Sequence, residues 1–152
     1  MCKLINKDLI FLDFEAKDKL DLLSKLSKIL FDKGYVKETF YEGLINREKV
    51  FPTGLVTEGP GVAIPHTDSK HVKKAVMLVA KLKKPVIFKE MADGINDVPA
   101  ELIFMLAIDN PNEQVMTLSK LMGIFSSKQI LNSLKNASDK EEIFSILSKQ
   151  LN

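Results

Sequence analysis

The sequence has one cysteine, two histidines and no tryptophan. The single cysteine, Cys2, cannot form a disulfide within the chain, which is typical of a protein from a reducing compartment. No stretch approaches the ~20 consecutive apolar residues of a membrane span. The segment Met1 to Ile10 lacks the apolar core and cleavage site of a signal peptide. We therefore expect a cytoplasmic protein without direct membrane insertion.

Charge and size narrow the class of protein further. The 152 residues carry 22 basic and 20 acidic side chains, a net charge of +2, and the charges are mixed along the chain. Because no sustained basic tract exists, a dedicated nucleic-acid binder is not expected. Hydrophobic residues make up 45% of the sequence, which is enough for a packed core. We expect one domain over residues 1–152.

The two histidines, His66 and His71, must carry any imidazole chemistry. They are five residues apart, whereas a helical metal-binding pair prefers a spacing of four, and no cysteine lies near them. A metal site is therefore not predicted, which argues against a metal-dependent hydrolase. No P-loop motif occurs, so a nucleotide site is not supported, and no cofactor is expected.

Apolar periodicity alternates between strand and helix. Short apolar runs predict strands, at 9–14, 62–64, 75–82, 86–88 after a Lys84-Pro85 turn, and 102–108. Spacings of three and four predict helices, over 16–33, 36–50, a stretch beginning near Pro111, a short segment around 130–134, and a last helix ending at Leu151. A polar loop is expected over 92–99. The fold class is α/β: a single domain with a mixed β-sheet and helices packed on both faces.

Three local signals set helix ends and faces. Gly34 is the expected C-cap of the first helix, because glycine accepts a left-handed backbone. Ser138 with Glu141 predicts a capping box at the start of the last helix. Apolar spacing assigns inward faces to the last helices, namely Val115, Leu118, Leu121 and Phe125 in one and Ile143, Ile146, Leu147 and Leu151 in the other.

His66 follows directly on the short apolar run before Pro65. Proline fixes its own φ and holds Ile64 in an extended geometry, so the backbone that carries His66 should be stiff. Side chains just past the carboxyl end of a central strand often bind ligands in α/β proteins. Placement alone leaves a histidine in an ordinary turn equally open.

The residues around His66 suit a phosphate. Hydroxyls, free backbone N–H groups and an arginine all bind phosphoryl oxygens. They flank His66 as Thr67, Asp68 and Ser69 on one side and Arg47, Thr53 and Gly54 on the other. Two ordinary roles stay open: Asp68 as a turn residue that bonds its own backbone, and Arg47 as a surface ion pair with Glu48 or Asp8.

These residues resemble a known signature. Arg47-Glu48, Pro52-Thr53-Gly54 and the run from Gly61 to His66 together resemble the EIIA component of the sugar phosphotransferase system, in its fructose/mannitol class. The similarity extends over nearly the whole chain in length and order of elements. The form Pro-His-Thr-Asp-Ser-x-His-Val, from Pro65 to Val72, is most similar to the galactitol-type branch.

The resemblance implies a phosphoryl relay. His66 would accept the phosphoryl group from the carrier protein HPr and pass it to a cysteine of the EIIB partner, while the membrane component EIIC transports galactitol or a related polyol. Arg47 would neutralise the transferred charge, Thr53, Thr67 and Ser69 would donate hydrogen bonds, and Asp68 would orient a ring nitrogen. The alternative is a regulatory EIIA-like module phosphorylated on the same histidine.

Other positions stay open. Mannitol-type relatives carry a second active-site histidine at the start of the helix after the last strand, and apolar spacing places Gln114 there; glutamine donates an N–H but cannot titrate. His71 either lines the pocket or leads into the next strand. Apolar contacts for the partners are expected at Val50, Phe51 and Leu55, with a core position as the alternative for Phe51.

Overall fold

The computed structural model describes residues 4–151, so Cys2 lies outside the described residues. The strands are β1 (Ile5–Phe14), β2 (Gly54–Leu55), β3 (Gly61–Ala63), β4 (Val76–Lys89) and β5 (Asp97–Ala107). The helices are α1 (Lys19–Asp32), α2 (Phe40–Val50), α3 (Pro111–Phe125), α4 (Lys128–Asn136) and α5 (Lys140–Leu151), and Ser69–His71 forms a short 3₁₀ turn.

The strands form one mixed sheet in the order β1-β4-β5-β3-β2. β1 runs parallel to β4 and β3 runs parallel to β5, whereas β4 and β5 are antiparallel, as are β2 and β3. The long antiparallel pair of β4 and β5 forms the centre of the sheet. β3, which precedes His66, lies between β5 and the short edge strand β2.

Both faces of the sheet are covered. Alternate residues of β4 and β5, such as Leu78 and Met105, pack with the apolar faces of α1 and α2. The residues between them, such as Met77 and Phe104, pack with α3, α4 and α5. Near-continuous apolar runs are expected of strands that are buried on both sides. The predicted α/β class, with helices on both faces of a mixed sheet, is therefore confirmed.

The predicted Lys84-Pro85 turn is wrong, because β4 continues through it to Lys89. The ladder with β5 has an irregularity between Lys81 and Val86. A proline is tolerated at such a point, since its missing N–H is not needed by the ladder. The predicted loop 92–99 is also too long. β5 begins at Asp97, so the last three residues of the predicted loop belong to this strand, and Pro99 pairs with Ile87.

The first two helices begin later than the apolar pattern predicts. α1 starts at Lys19, because the Asp18 side chain accepts a hydrogen bond from the Asp21 N–H and caps the helix. α2 starts at Phe40, because Val36 bridges to Val72 in an extended geometry instead. The C-cap is Lys33, one residue before the predicted Gly34, but Gly34 does adopt the predicted left-handed backbone, with φ of +82°.

Two predictions for the C-terminal helices are wrong. Val115 does not face inward but is 67% exposed, since the buried residues of α3 lie further along, at Leu121, Ile124 and Phe125. The capping box lies one residue later than predicted. Asp139 Oδ1 accepts from the Glu142 N–H at 2.9 Å, and the Glu142 carboxylate accepts from Ser138. The predicted end of α5 at Leu151 is confirmed.

Candidate functional site

Backbone hydrogen bonds fix the segment before His66 on both sides. The Ile64 N–H donates to the Thr53 carbonyl at 3.3 Å, and the Pro65 carbonyl accepts from the Leu106 N–H at 3.0 Å. The second bond ties the segment to β5 at the centre of the sheet. His66 therefore stands at a rigid position just past the carboxyl end of β3, as the sequence predicts.

His66 is buried, with 7% of the residue exposed, and its ring is held in one orientation. Its Nδ1 lies 2.8 Å from the Ile64 carbonyl oxygen. A carbonyl oxygen only accepts, so Nδ1 must carry the proton, and in the neutral ring Nε2 holds the free electron pair. This leaves Nε2 as the nucleophilic atom of the imidazole.

Burial lowers the pKa of His66 below its ordinary value, and the nearby Arg47 charge acts in the same direction. The hydrogen bond to the Ile64 carbonyl and the Asp68 carboxylate oppose this shift without overcoming it. Because the unperturbed pKa is about 6.5, the ring is neutral at pH 7. A neutral ring is the form that can attack an electrophile.

Arg47 lies in the last turn of α2, beside the histidine loop. Its Nη1 is 3.9 Å from Asp68 Oδ1, and its guanidinium lies 5.1 Å from the centre of the Phe51 ring. The partner of Arg47 is therefore Asp68, and neither Glu48 nor Asp8 takes that place. The Nε of Arg47 is buried and has no hydrogen-bond partner within residues 4–151.

His66 lines an open cleft of about 450 Å³ between α2, its own loop and the start of α3. The lining residues are Arg47, His66, Asp68, Ser69, Lys70, Pro111, Gln114, Val115 and Leu118. The structure thus brings together five of the eight predicted site residues. Lys70 was not singled out from the sequence, although its place two residues after Asp68 in a predicted phosphate loop offered a signal.

Gln114 lies across the cleft from Arg47, in the first turn of α3. Its Nε2 donates to the Thr67 carbonyl at 3.4 Å. Asn110 caps this helix by accepting from the Asn112 and Glu113 N–H groups. The amino end of a helix carries a partial positive charge that favours an anion nearby. Gln114 therefore lines the cleft, and its match to the second histidine of mannitol-type relatives stays a prediction.

Thr53 does not line this cleft. It is 2% exposed, its N–H donates to Glu48 Oε2 at 2.7 Å, and its hydroxyl donates to Glu48 Oε1 at 2.8 Å. Burial raises the pKa of Glu48, and the two bonds from Thr53 oppose that shift. Sequence reasoning missed this buried carboxylate. The signal was that Glu48 follows Leu44 by four residues, as Leu44 follows Phe40, and so continues the buried face of α2.

A second groove lies on the other side of Arg47 and contains His71 and Thr67. It measures about 290 Å³ and is lined by Gly43, Asn46, Arg47, Val50, Phe51, Thr67, Asp68, Lys70 and His71. The Nδ1 of His71 lies 2.7 Å from the Thr39 hydroxyl. His71 therefore lies in a groove that adjoins the His66 cleft, and is not one of the cleft's lining residues.

The predicted apolar contacts divide between surface and interior. Val50 is 67% and Phe51 is 60% exposed, so a core position for Phe51 is wrong. Leu55 is only partly buried and packs against the core on the face of the sheet that α3, α4 and α5 cover. Val115 adds an exposed apolar side chain on the opposite wall of the cleft.

Comparisons with known proteins agree with this fold and site. A sequence profile described as the phosphoenolpyruvate-dependent sugar phosphotransferase system, EIIA 2, matches residues 3–150. The chain belongs to this family of phosphotransferase components. The galactitol-specific EIIA component of Escherichia coli K12 is 32% identical over 117 residues, which are 77% of each chain.

Two regulatory proteins have a similar sequence identity to this chain. The transcriptional regulator ManR of Bacillus subtilis is 31% identical over 95% of this chain, but the match spans only 19% of ManR. The nitrogen regulatory protein IIA-Ntr of Neisseria meningitidis superposes with a TM-score of 0.74 at 32% identity, over 95% of this chain and 97% of that one.

The fold is also that of mannitol EIIA. The Escherichia coli EIIA that was solved in complex with phosphorylated mannitol EIIB superposes with a TM-score of 0.75 at 24% identity, over 96% of this chain and 99% of that one. Within residues 4–151, no helix is both long and apolar enough to cross a membrane. The same residues contain no group of three or more side chains suited to holding a metal ion.

Proposed function

We propose that the protein is a phosphocarrier of a sugar or polyol phosphotransferase system, which accepts a phosphoryl group on His66 from phospho-HPr and passes it to the EIIB cysteine. One observation carries this proposal. The His66 ring is buried, with Nδ1 bound to the Ile64 carbonyl, so Nε2 is the free nitrogen of a ring that lines an open cleft beside Arg47.

The two transfers are balanced nucleophilic displacements. In the first, the Nε2 electron pair of His66 attacks phosphorus, a new N–P bond forms, and the electron pair of the broken bond returns to the HPr ring nitrogen. In the second, the EIIB thiolate attacks phosphorus and the electron pair returns to Nε2. Such transfers ask the protein chiefly for positioning and for charge stabilisation.

The cleft supplies that charge stabilisation. Arg47 brings its guanidinium charge to the lining of the cleft, and its 3.9 Å contact with Asp68 keeps it on the histidine side of the cleft. The start of α3 contributes a positive helix end and the Gln114 amide from the opposite wall. Ser69 adds a hydroxyl. Thr53 does not line the cleft but acts through its backbone carbonyl, which accepts a hydrogen bond from the Ile64 N–H and so holds the segment before His66.

We propose that the transported compound is galactitol or a related polyol. The protein would act in the cytoplasm, and EIIC would be the membrane component that transports the polyol. The support is the 32% identity with galactitol-specific EIIA and the galactitol-like run from Pro65 to Val72. The exposed Val50, Phe51 and Val115 provide the apolar area that a small transient interface with HPr or EIIB buries.

A regulatory module is the second candidate function. Its support is the 32% identity with the nitrogen regulatory protein IIA-Ntr over 95% of this chain. Both functions use a phosphorylated His66, so they differ in the acceptor. A phosphocarrier passes the group to the EIIB cysteine within the time of transport, whereas a regulatory module keeps it or returns it to HPr.

Reconstitution with phosphoenolpyruvate, enzyme I and HPr tests the proposal. We expect stoichiometric labelling of His66, no labelling of His66→Ala, and transfer of the label to added galactitol EIIB. His71→Ala is the matched control, because it removes the other histidine and should still reach full labelling. Equal labelling of wild type and His66→Ala would overturn the assignment, and label that never moves to EIIB would favour the regulatory function.

A further inference from the structure

One face of α2 lies against the loop 67–71 that follows His66. The face is made of residues four apart, which lie above one another on a helix. They are Thr39 at the N-cap, Gly43 and Arg47. The buried face of α2, with Phe40 and Leu44, is the next stripe around the helix. The loop is therefore packed against a surface that the core already fixes.

His71 makes two of the contacts along this face. Its Nδ1 is 2.7 Å from the Thr39 hydroxyl. A methyl group on Gly43 would lie 2.8 Å from His71 Nε2, which is closer than real Cβ contacts allow without a shift, and 3.0 Å from Thr67 Oγ1, which is tighter than most real contacts. Glycine at this point in the helix is thus what lets the imidazole and the threonine approach the α2 backbone.

The far end of the loop is also fastened to the segment before α2. The Lys37 N–H donates to the His71 carbonyl at 2.9 Å, and Val36 forms a β-bridge with Val72. The near end carries Asp68, which pairs with Arg47. The His71 side chain adds contacts with the same helix face, at Thr39 and Gly43.

We propose that His71 is a positioning residue for the transfer on His66: wedged between Thr39 and Gly43, it sets the distance between the loop and α2, and thereby places Arg47 relative to the His66 ring. The proposal rests on the proposed function above. His66 and Arg47 belong to different elements, so contacts between loop and helix must fix their separation. Misplacement of about 1 Å can cost a factor of about 100 in a positioned reaction.

Gly43→Ala is the sharpest test, because the added methyl pushes directly on the His71 ring. We expect the rate of phosphoryl transfer from phospho-HPr to fall at least about tenfold, with full labelling still reached. Gly123→Ala is the matched control. Gly123 also lies within a helix, and a methyl group there would meet nothing within 4 Å. Its transfer rate should equal that of the wild type.

Removal of the His71 side chain should reduce the effect of Gly43→Ala on the transfer rate. His71→Ala should itself slow transfer, and His71→Asn, which can keep the bond to Thr39, should restore part of the rate. Adding Gly43→Ala to His71→Ala should cost less than it does in the wild type, because the closer of the two contacts, with the His71 ring, is gone and only the one with Thr67 remains. Equal losses in both backgrounds, or a wild-type rate for Gly43→Ala or His71→Ala, would overturn the proposal.

NMR of the ring nitrogens in unphosphorylated protein separates this proposal from the proposed function. Burial and Arg47 both lower the pKa of His66, so Gly43→Ala should move its titration midpoint upward, and Gly123→Ala should leave it unchanged. An unmoved midpoint in Gly43→Ala contradicts the positioning role. Absence of label on wild-type His66 would instead contradict the proposed function, while this titration would still test His71.

Discussion

The two walls of the His66 cleft differ in chemistry. The wall formed by α2 and the histidine loop carries all the charged lining residues, namely Arg47, Asp68 and Lys70. The wall formed by the start of α3 is lined by Pro111, Gln114, Val115 and Leu118, none of them charged. We infer that the first wall stabilises the transferred charge and that the second supplies a hydrogen bond and an apolar docking surface.

The largest effect after loss of His66 itself is expected from Arg47. Arg47→Ala should slow transfer more than about tenfold, which corresponds to about 1.4 kcal/mol of barrier, because the charged wall loses its guanidinium. Arg47→Lys keeps the positive charge but loses the planar guanidinium, so its transfer rate should lie between those of the wild type and Arg47→Ala. Stopped-flow transfer from phospho-HPr measures this. Unchanged rates with a lowered melting temperature would make Arg47 a purely structural residue.

The apolar wall should affect binding of the partner more than the chemical step. Val115→Asp should raise the KM for phospho-HPr several-fold, by an interface cost of about 1 kcal/mol, with kcat nearly unchanged. Ile95→Asp is the control, since Ile95 is 74% exposed and lines neither groove. A fall in kcat with constant KM would show that Val115 acts on the reacting group instead.

Gln114 should contribute one neutral hydrogen bond. Gln114→Leu removes the donor and should slow transfer by a factor of about three to ten, equivalent to about 1 kcal/mol. Gln114→His should be tolerated and should add a second ionisation to the pH profile, because a ring N–H can occupy a similar place. A wild-type rate for Gln114→Leu would show that this turn of α3 takes no part in transfer.

The pH dependence should show the smallest change and the clearest sign. The folded pKa of His66 is lowered, so the reactive neutral ring persists below the ordinary value of about 6.5, and the rate falls only at lower pH. Arg47→Ala removes one cause of the lowering and should move this limb toward higher pH. Asp68→Asn removes an opposing charge and should move it toward lower pH. Shifts of the opposite sign would contradict the electrostatic account.

Local patterns predicted much of the fold. The apolar run of β5, the short strand before Pro65 and the left-handed backbone of Gly34 each depend on neighbours in sequence, and each is confirmed. The order of the sheet depends on pairing between distant strands, which periodicity does not encode. The continuation of β4 through Pro85 depends on an irregularity in its pairing with β5, which the Lys-Pro dipeptide cannot reveal.

The candidate site divides in the same way. Residues beside His66 in sequence, such as Asp68 and Ser69, were found from the motif, and Gln114 was placed by apolar spacing. The pairing of Arg47 with Asp68, the buried bond from Thr53 to Glu48 and the seat of His71 on Gly43 join separate elements. The contacts of Arg47 and His71 follow from the packing of α2 against the loop 67–71, and the bond from Thr53 follows from the burial of Glu48, so the sequence pattern did not show them.

The central claim is that Nε2 of His66 receives the phosphoryl group, and NMR of isotope-labelled ring nitrogens in the phosphorylated protein tests it most directly. At neutral pH the free protein should show His66 as the tautomer protonated on Nδ1, because that atom donates to the Ile64 carbonyl. After reaction with phospho-HPr, the coupling to phosphorus should appear on Nε2 of His66. Coupling on Nδ1 of His66, or on His71, would contradict the account.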